Sequence, residues 1–213
     1  FVLSNGIRVS IKNTDFKNDE ILFSAFAKGG SSIASPEDYY NSSIAADIME
    51  ESGYADLSSI EIGKMFSGKI AQVKPYINFD SHGLKGKTTP EDIEAAFELI
   101  YTKFCHPNYD IESFTNLINK YSVFVQNRNL TPDFIWGNHV DEINYSNHYA
   151  KKPWTSELLS TINHMSAYSI YHNLFSTPKN FHFVFVGNVN IEKVKALLEK
   201  YLASIPNKTN TKT

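Results

Sequence analysis

The chain has 213 residues, of which 42% are hydrophobic, and its formal net charge at pH 7 is −3. This length allows one large core or two small ones, and the lack of a basic block argues against nucleic acid as a partner. The apolar runs, such as 181–186, are too short to span a bilayer, and the single Cys105 excludes an internal disulfide.

The first half of the chain is predicted to alternate between strands and helices. The expected elements are a hairpin over 1–11, a strand over 21–27, a helix from 36 to about 51, a shorter helix over 57–66, strands over 70–76 and 77–82 separated or bent at 74–75, and a turn over 83–87. Asn5-Gly6 predicts the hairpin turn, because both residues accept positive φ. Ser35 before Pro36 is typical of a helix start, and Gly53 is the expected C-cap of that helix.

The second half is predicted to be mainly helical. The expected elements are helices over 93–104, 110–125, 131–145 and 155–175, a strand over 181–188 that is buried on both faces, and a last helix over 191–204. Thr89-Pro90 and Thr131-Pro132 have the composition of helix starts, and Asn190 is expected to cap the last helix. The strands are too scattered for a sandwich and too irregular for a doubly wound sheet. The sequence therefore predicts an α+β domain, in which a largely antiparallel sheet has helices packed on one face.

Five segments resemble, in the same order, motifs of the insulinase-like, or pitrilysin-family, zinc peptidases. They are 3–9 (LSNGIRV), 27–31 (AKGGS), 89–107, 183–189 (FVFVGNV) and 201–206 (YLASIP). Each motif is weak singly, but five in the right order are fairly specific, and together they cover nearly all of residues 1–206. The segment 14–22 makes the chain similar to the second half of the long bacterial members.

The resemblance implies an architecture in which two similar halves enclose a peptide. One half carries the zinc, the other is usually degenerate, and each half contains two domains of roughly this size, like those of mitochondrial processing peptidase. This chain would then be one domain of four. A single inactive domain is expected over 1–206, and 207–213 are expected to form a linker to a following domain.

The family's zinc site needs His-x-x-Glu-His on a helix, which places two imidazoles on one Zn²⁺ and a glutamate beside the bound water. No histidine precedes His82 in this chain. Three registers of the first long helix can be compared with the motif: Ser43, Ala46, Asp47; Ala46, Met49, Glu50; and Ile44, Asp47, Ile48. None supplies a histidine, so no catalytic residue and no metal ligand is predicted, and the substrate-binding residues stay unknown.

The other polar groups each have a simpler interpretation than a metal or catalytic site. Asp47, Glu50 and Glu51 share a helical face and could hold a hard cation, but a solvated face is the simpler interpretation. The histidines are His82, His106, His139, His148, His164, His172 and His182. The pair on one predicted helix, eight residues apart, would be separated by roughly 12 Å, too far to chelate directly. Cys105 is expected in the core, and nothing ties Arg128 or Tyr145 to the family's substrate-gripping arginine and tyrosine.

The predicted function is that of a non-catalytic domain of a zinc metallopeptidase. It would form part of the peptide-enclosing chamber, while another domain of the same polypeptide carries the zinc and hydrolyses peptide bonds. The alternative is a standalone structural or protein-interaction subunit with the same fold. A third, weaker interpretation is an enzyme with a site around Asp47, Glu50 and Glu51.

The expected partners are the other domains of the polypeptide and a peptide substrate, without nucleic acid and without a membrane-spanning segment. No cofactor is expected in this part of the protein, and zinc is expected only in the catalytic domain. The resemblance also points to the periplasm or cell envelope.

Overall fold

The computed structural model describes residues 1–128 and 130–207. Its centre is a five-stranded sheet in the order β1-β5-β2-β4-β3. The strands are β1 (Arg8–Asn13), β2 (Ile21–Lys28), β3 (Ala71–Ile77), β4 (Ser81–Thr88) and β5 (His182–Gly187). Neighbouring strands are antiparallel except β1 and β5, which run parallel. The linker expected over 207–213 lies, from residue 208 onward, outside the described residues.

The helices of the described part follow the predicted order. They are α1 (Tyr39–Ser52), α2 (Ser59–Met65), α3 (Ile93–Cys105), α4 (Ile111–Arg128), α5 (Pro132–Asn144), α6 (Ser156–Ser160), α7 (His164–Phe175) and α8 (Ile191–Leu197), which continues as a π-helical turn over Leu198–Leu202. The helix α1 is central, since it contacts α7, β3 and α4. Each of these helices is too short or too polar to cross a membrane.

One face of the sheet carries the core, and this confirms the predicted α+β class. In β2, Phe23 is buried, whereas Leu22 and Phe26 on the opposite face are 49% and 41% exposed. In β5, Phe185 is buried and Val186 is 37% exposed. The prediction that this last strand is buried on both faces is therefore wrong, because the helices cover only one side of it.

The predicted separation of two strands at 74–75 and the predicted turn at 83–87 are also wrong. Pro75 lies inside β3, where a missing N–H is tolerated because β3 is an edge strand. Gly83 and Gly86 lie within β4, where the neighbouring strands approach closely. A Cβ on either would fall 1.8 Å from a backbone oxygen, of Ala25 and Gln72 respectively. These glycines are therefore explained by close packing between strands, and the turn lies earlier, at 78–80.

Two helix boundaries differ from the prediction for local reasons. The helix expected over 155–175 is divided into α6 and α7, because the side chain of Asn163 accepts a hydrogen bond from the Ser166 N–H at 2.9 Å and caps a new helix. The helix expected from 36 begins instead at Tyr39. The residues before it form a turn, in which the Asp38 N–H donates to Ser35 Oγ at 3.2 Å. The turn brings the chain from the sheet into α1.

Candidate functional site

The helix α1 is where the resembled family places its zinc ligands. The structure shows which residues of the three possible registers are buried and which face an open surface. In the first register, Ser43 and Asp47 face a groove between α1 and α4, while Ala46 is buried. The other two registers include Met49 or Ile48, which are fully buried in the core. Within the described residues, the first register therefore presents two side chains, one helical turn apart, to one open groove.

This α1–α4 groove has a volume of about 440 Å³. Its lining includes Ser43, Asp47, Lys120, Tyr121, Phe124, Arg128 and Trp154. The buried side chains of Leu117 and Val125 hold α4 against the core below it. The groove thus combines one carboxylate, two cations and aromatic rings on a fixed pair of helices.

The carboxylate in the groove is already engaged. The Tyr121 hydroxyl donates a hydrogen bond to Asp47 Oδ2 at 3.0 Å. Burial, together with the charge of Asp47, raises the pKa of Tyr121 well above its usual range, so the phenol stays protonated at neutral pH. The pair is therefore a donor and an acceptor that satisfy each other across the two helices.

Glu50, on another side of α1, forms an ion pair with Lys103. Lys103 of α3 is 3% exposed, and its Nζ lies 2.5 Å from Glu50 Oε2. The Tyr54 hydroxyl donates to the same oxygen at 3.3 Å, and the ammonium lies 4.0 Å from the centre of the Tyr54 ring. Burial lowers the pKa of Lys103, and the carboxylate partly offsets this effect. Glu50, whose side chain is 39% exposed, is therefore the counter-ion of the buried Lys103.

The three acids Asp47, Glu50 and Glu51 are not brought together as a cation site. Asp47 is bonded to α4 and Glu50 to α3. In residues 1–128 and 130–207, no group of three or more histidine, cysteine, aspartate or glutamate side chains is placed to hold a metal ion. The arrangement gives no support to an enzyme site around these acids.

Two histidines are buried in separate places. The His82 Nδ1 lies 2.5 Å from the Gly29 carbonyl oxygen, and its Nε2 lies 3.0 Å from that of Leu174. The His164 ring is stacked between Tyr109 and Phe114, at centroid distances of 4.0 and 4.8 Å. Burial lowers the pKa of both imidazoles. Neither histidine is among the residues that line the α1–α4 groove, and each ring packs against aromatic side chains instead.

The remaining candidates are dispersed. His182 Nε2 lies 2.9 Å from Ser10 Oγ on the sheet, and Cys105 packs against the core at the end of α3. His139 and His148 line a second groove, of about 520 Å³, beside α5. Tyr145 follows α5, and Lys151 Nζ lies 4.5 Å from its ring centre.

Three residues with a role in the core or in the groove were not predicted from the sequence. Lys103 is spaced seven and three residues from the buried Ala96 and Ile100, so a charge on an apolar helical face could have indicated its burial. Lys120 and Trp154 join the α1–α4 groove from separate segments. No local pattern indicates that these two residues meet.

Comparisons with known proteins identify the class of this fold. The family described as Peptidase M16 inactive domain matches residues 162–213. A curated relative from Arabidopsis thaliana, named Zinc protease PQQL-like, is 29% identical over 205 residues, which are 96% of this chain and 19% of the relative. A Haemophilus influenzae protein named Probable zinc protease PqqL is 24% identical over 212 residues, 98% of this chain and 22% of its own. The chain thus spans about a fifth of the length of these relatives.

Solved structures show the same fold. The periplasmic protease PqqL from Escherichia coli superposes with a TM-score of 0.81 at 21% identity, over 99% of this chain and 23% of that chain. A peptidase M16 inactive domain from Pseudomonas fluorescens gives a TM-score of 0.76 at 14% identity, over 98% of this chain and 50% of that chain. The resemblance found in the sequence is confirmed: residues 162–213 match the inactive domain of M16 peptidases, and the zinc-protease relatives align over nearly the whole chain. The relatives to which it is similar over nearly its whole length are proteins named zinc protease PQQL-like or PqqL.

Proposed function

We propose that this domain is a non-catalytic wall of a peptide-enclosing chamber, in a longer polypeptide whose zinc and hydrolytic chemistry lie in another domain. We further propose that residues 1–206 form one inactive domain and that residues 207–213 connect it to the next domain. The cell envelope is the proposed compartment, and its support is that the structural relative from Escherichia coli is a periplasmic protease.

The observation that carries the proposal is the donor set of the α1–α4 groove. A catalytic zinc site uses three protein ligands, typically imidazoles and carboxylates, and leaves a fourth position open for water. The groove offers the Ser43 hydroxyl, the Asp47 carboxylate and the protonated Tyr121 phenol. Such a set does not fit a catalytic zinc, yet the groove is open and has hydrogen-bonding and aromatic groups suited to contact with a peptide.

The proposal is tested on the full-length protein, with zinc content and peptide hydrolysis measured together. We expect one zinc per polypeptide, and we expect Asp47→Asn to leave both the zinc content and kcat unchanged. Loss of zinc or a hundredfold fall in kcat in Asp47→Asn would contradict the assignment of chemistry to another domain.

The full-length protein also distinguishes this proposal from the alternative, a structural or protein-interaction subunit. A full-length reading frame that contains His-x-x-Glu-His outside residues 1–213, together with hydrolysis abolished by its mutation, supports the chamber wall. A full-length protein that lacks this motif and hydrolyses no peptide would favour a structural or protein-interaction subunit.

A further inference from the structure

We propose that the α1–α4 groove binds an extended peptide segment in which an acidic side chain lies next to a bulky apolar one. The inference rests on the proposed function and specifies its substrate class. The α1–α4 groove supplies two cations that meet no carboxylate within the described residues, beside exposed aromatic surface.

The first cation is Arg128, at the end of α4. Its guanidinium carbon lies 4.0 Å from the centre of the Phe134 ring and 5.6 Å from that of Phe124, so aromatic rings hold the group in place. A guanidinium has five N–H donors. Among the described residues, its hydrogen-bond acceptor is the Trp154 carbonyl oxygen, at a long 3.4 Å from Nη2, and the buried Nε has none. Within the described ranges of the chain, the guanidinium charge is therefore left without an anion.

The second cation is Lys120, two turns before Arg128 on the same helix. It is exposed and lines the same groove, and no carboxylate lies within ion-pair distance of it in the described part of the chain. Asp47, the carboxylate among the groove's lining residues, already accepts the Tyr121 hydroxyl, and the charge of Glu51 also contributes to the raised pKa of that tyrosine. Lys120 and Arg128 are therefore the charged groups of the groove that are left to meet an acidic side chain.

The apolar part of the groove lies beside these charges. Phe124 is 61% exposed, and Trp154 is held edge-on to Tyr40 with ring centres 5.0 Å apart. A rigid aromatic wall next to a cation suits a bulky apolar side chain that neighbours the acid. The groove therefore fits a peptide with both groups in sequence.

The experiment uses the full-length protein and two fluorescein-labelled peptides, identical except for Glu or Gln next to a leucine. Binding is followed by fluorescence anisotropy in EDTA, so that hydrolysis does not consume the peptide. We expect the Glu peptide to bind about tenfold more tightly than the Gln peptide, as a charge-assisted contact allows. In Arg128→Gln, and less strongly in the exposed Lys120→Gln, this ratio should fall severalfold toward one.

Matched controls are available in the same chain. Arg8, on β1, and Lys64, on α2, are exposed, and their glutamine variants should keep the wild-type ratio. A wild type without preference for Glu, or equal ratios in Arg128→Gln and Arg8→Gln, would overturn the inference. Lys120→Gln keeps the test valid if Arg128→Gln fails to fold.

Hydrolysis measured without EDTA distinguishes the two proposals. A Glu preference that depends on Arg128 in a protein without zinc or hydrolysis would refute the chamber function and support the groove. Hydrolysis by another domain without any such preference would refute only the groove.

Discussion

The ion pair between Glu50 and Lys103 gives the sharpest test of the packing around α1. Replacing Glu50 with Gln leaves an ammonium that is 3% exposed without its anion. Removal of one partner from a buried pair destabilises a protein by about 3–5 kcal/mol. We expect the lower end, about 3 kcal/mol, because the Tyr54 ring at 4.0 Å still stabilises the cation.

Lys103→Met should have a smaller effect, about 1 kcal/mol. The Glu50 side chain is 39% exposed, so it can be hydrated once the cation is gone, while the methionine fills the apolar space. The double variant should resemble Lys103→Met. Urea unfolding at pH 7, followed by circular dichroism, measures all four free energies of unfolding.

The pH dependence supplies a second check on the same pair. Burial lowers the pKa of Lys103 in the folded state, and loss of Glu50 removes the opposing effect. Between the lowered value and the unfolded value of about 10.4, the unfolded chain binds more protons, so stability rises with pH. The deficit of Glu50→Gln should therefore shrink as the pH rises toward the unfolded value of about 10.4. A deficit below that of Lys103→Met, or one independent of pH, would refute this account of the pair.

Three further predictions concern stability and are measured by urea unfolding. Gly53→Ala should destabilise the protein by about 2 kcal/mol or more, because Gly53 has φ +80° and an added Cβ would lie 2.1 Å from a backbone oxygen. The control is Gly63→Ala in α2, where an added Cβ has no atom within 4 Å, and it should stabilise the protein by about 0.5–1 kcal/mol. His164→Phe keeps the ring stack and removes a burial-lowered pKa, so the loss of stability below about pH 6.5 should become shallower. Tyr171→Phe should cost about 1–2 kcal/mol, because its hydroxyl donates to the Lys103 carbonyl at 3.1 Å.

Each of these has a contrary outcome. Equal effects of the two glycine substitutions would mean that the positive φ at the end of α1 is not required. An unchanged acid slope in the His164 variant would place the titration elsewhere, with His82 as the next group to replace. A neutral Tyr171→Phe would show that the carbonyl finds another donor.

The order of elements could be predicted because their signals are local. Asn5-Gly6, the proline-containing helix starts and the cap at Asn190 act within a few residues, and the structure places a turn or a helix start at each. The α+β class followed from that order. Even the break at Asn163 had a local signal, a capping side chain that the helical spacing around it concealed.

The errors arose where distant segments decide the outcome. Gly83 and Gly86 have the composition of a turn, but their role is set by strands that pack against them from elsewhere in the chain. A proline usually interrupts a strand, but Pro75 is accommodated because β3 is an edge strand. Neither fact is present in the local sequence.

The candidate site divides in the same way. That α1 lacks imidazoles is readable from the sequence alone. That Glu50 pairs with Lys103, 53 residues away, depends on the packing of α1 against its neighbours. The charge and aromatic character of the α1–α4 groove likewise require the positions of three separate segments.

The central claim is that zinc chemistry does not belong to this domain, and zinc stoichiometry tests it most directly. The 213-residue chain is loaded with zinc, passed through gel filtration and analysed by inductively coupled plasma mass spectrometry. We expect far less than one zinc per chain, with the same residual amount in wild type and Asp47→Ala. One tightly held zinc per chain that disappears in Asp47→Ala would contradict the account.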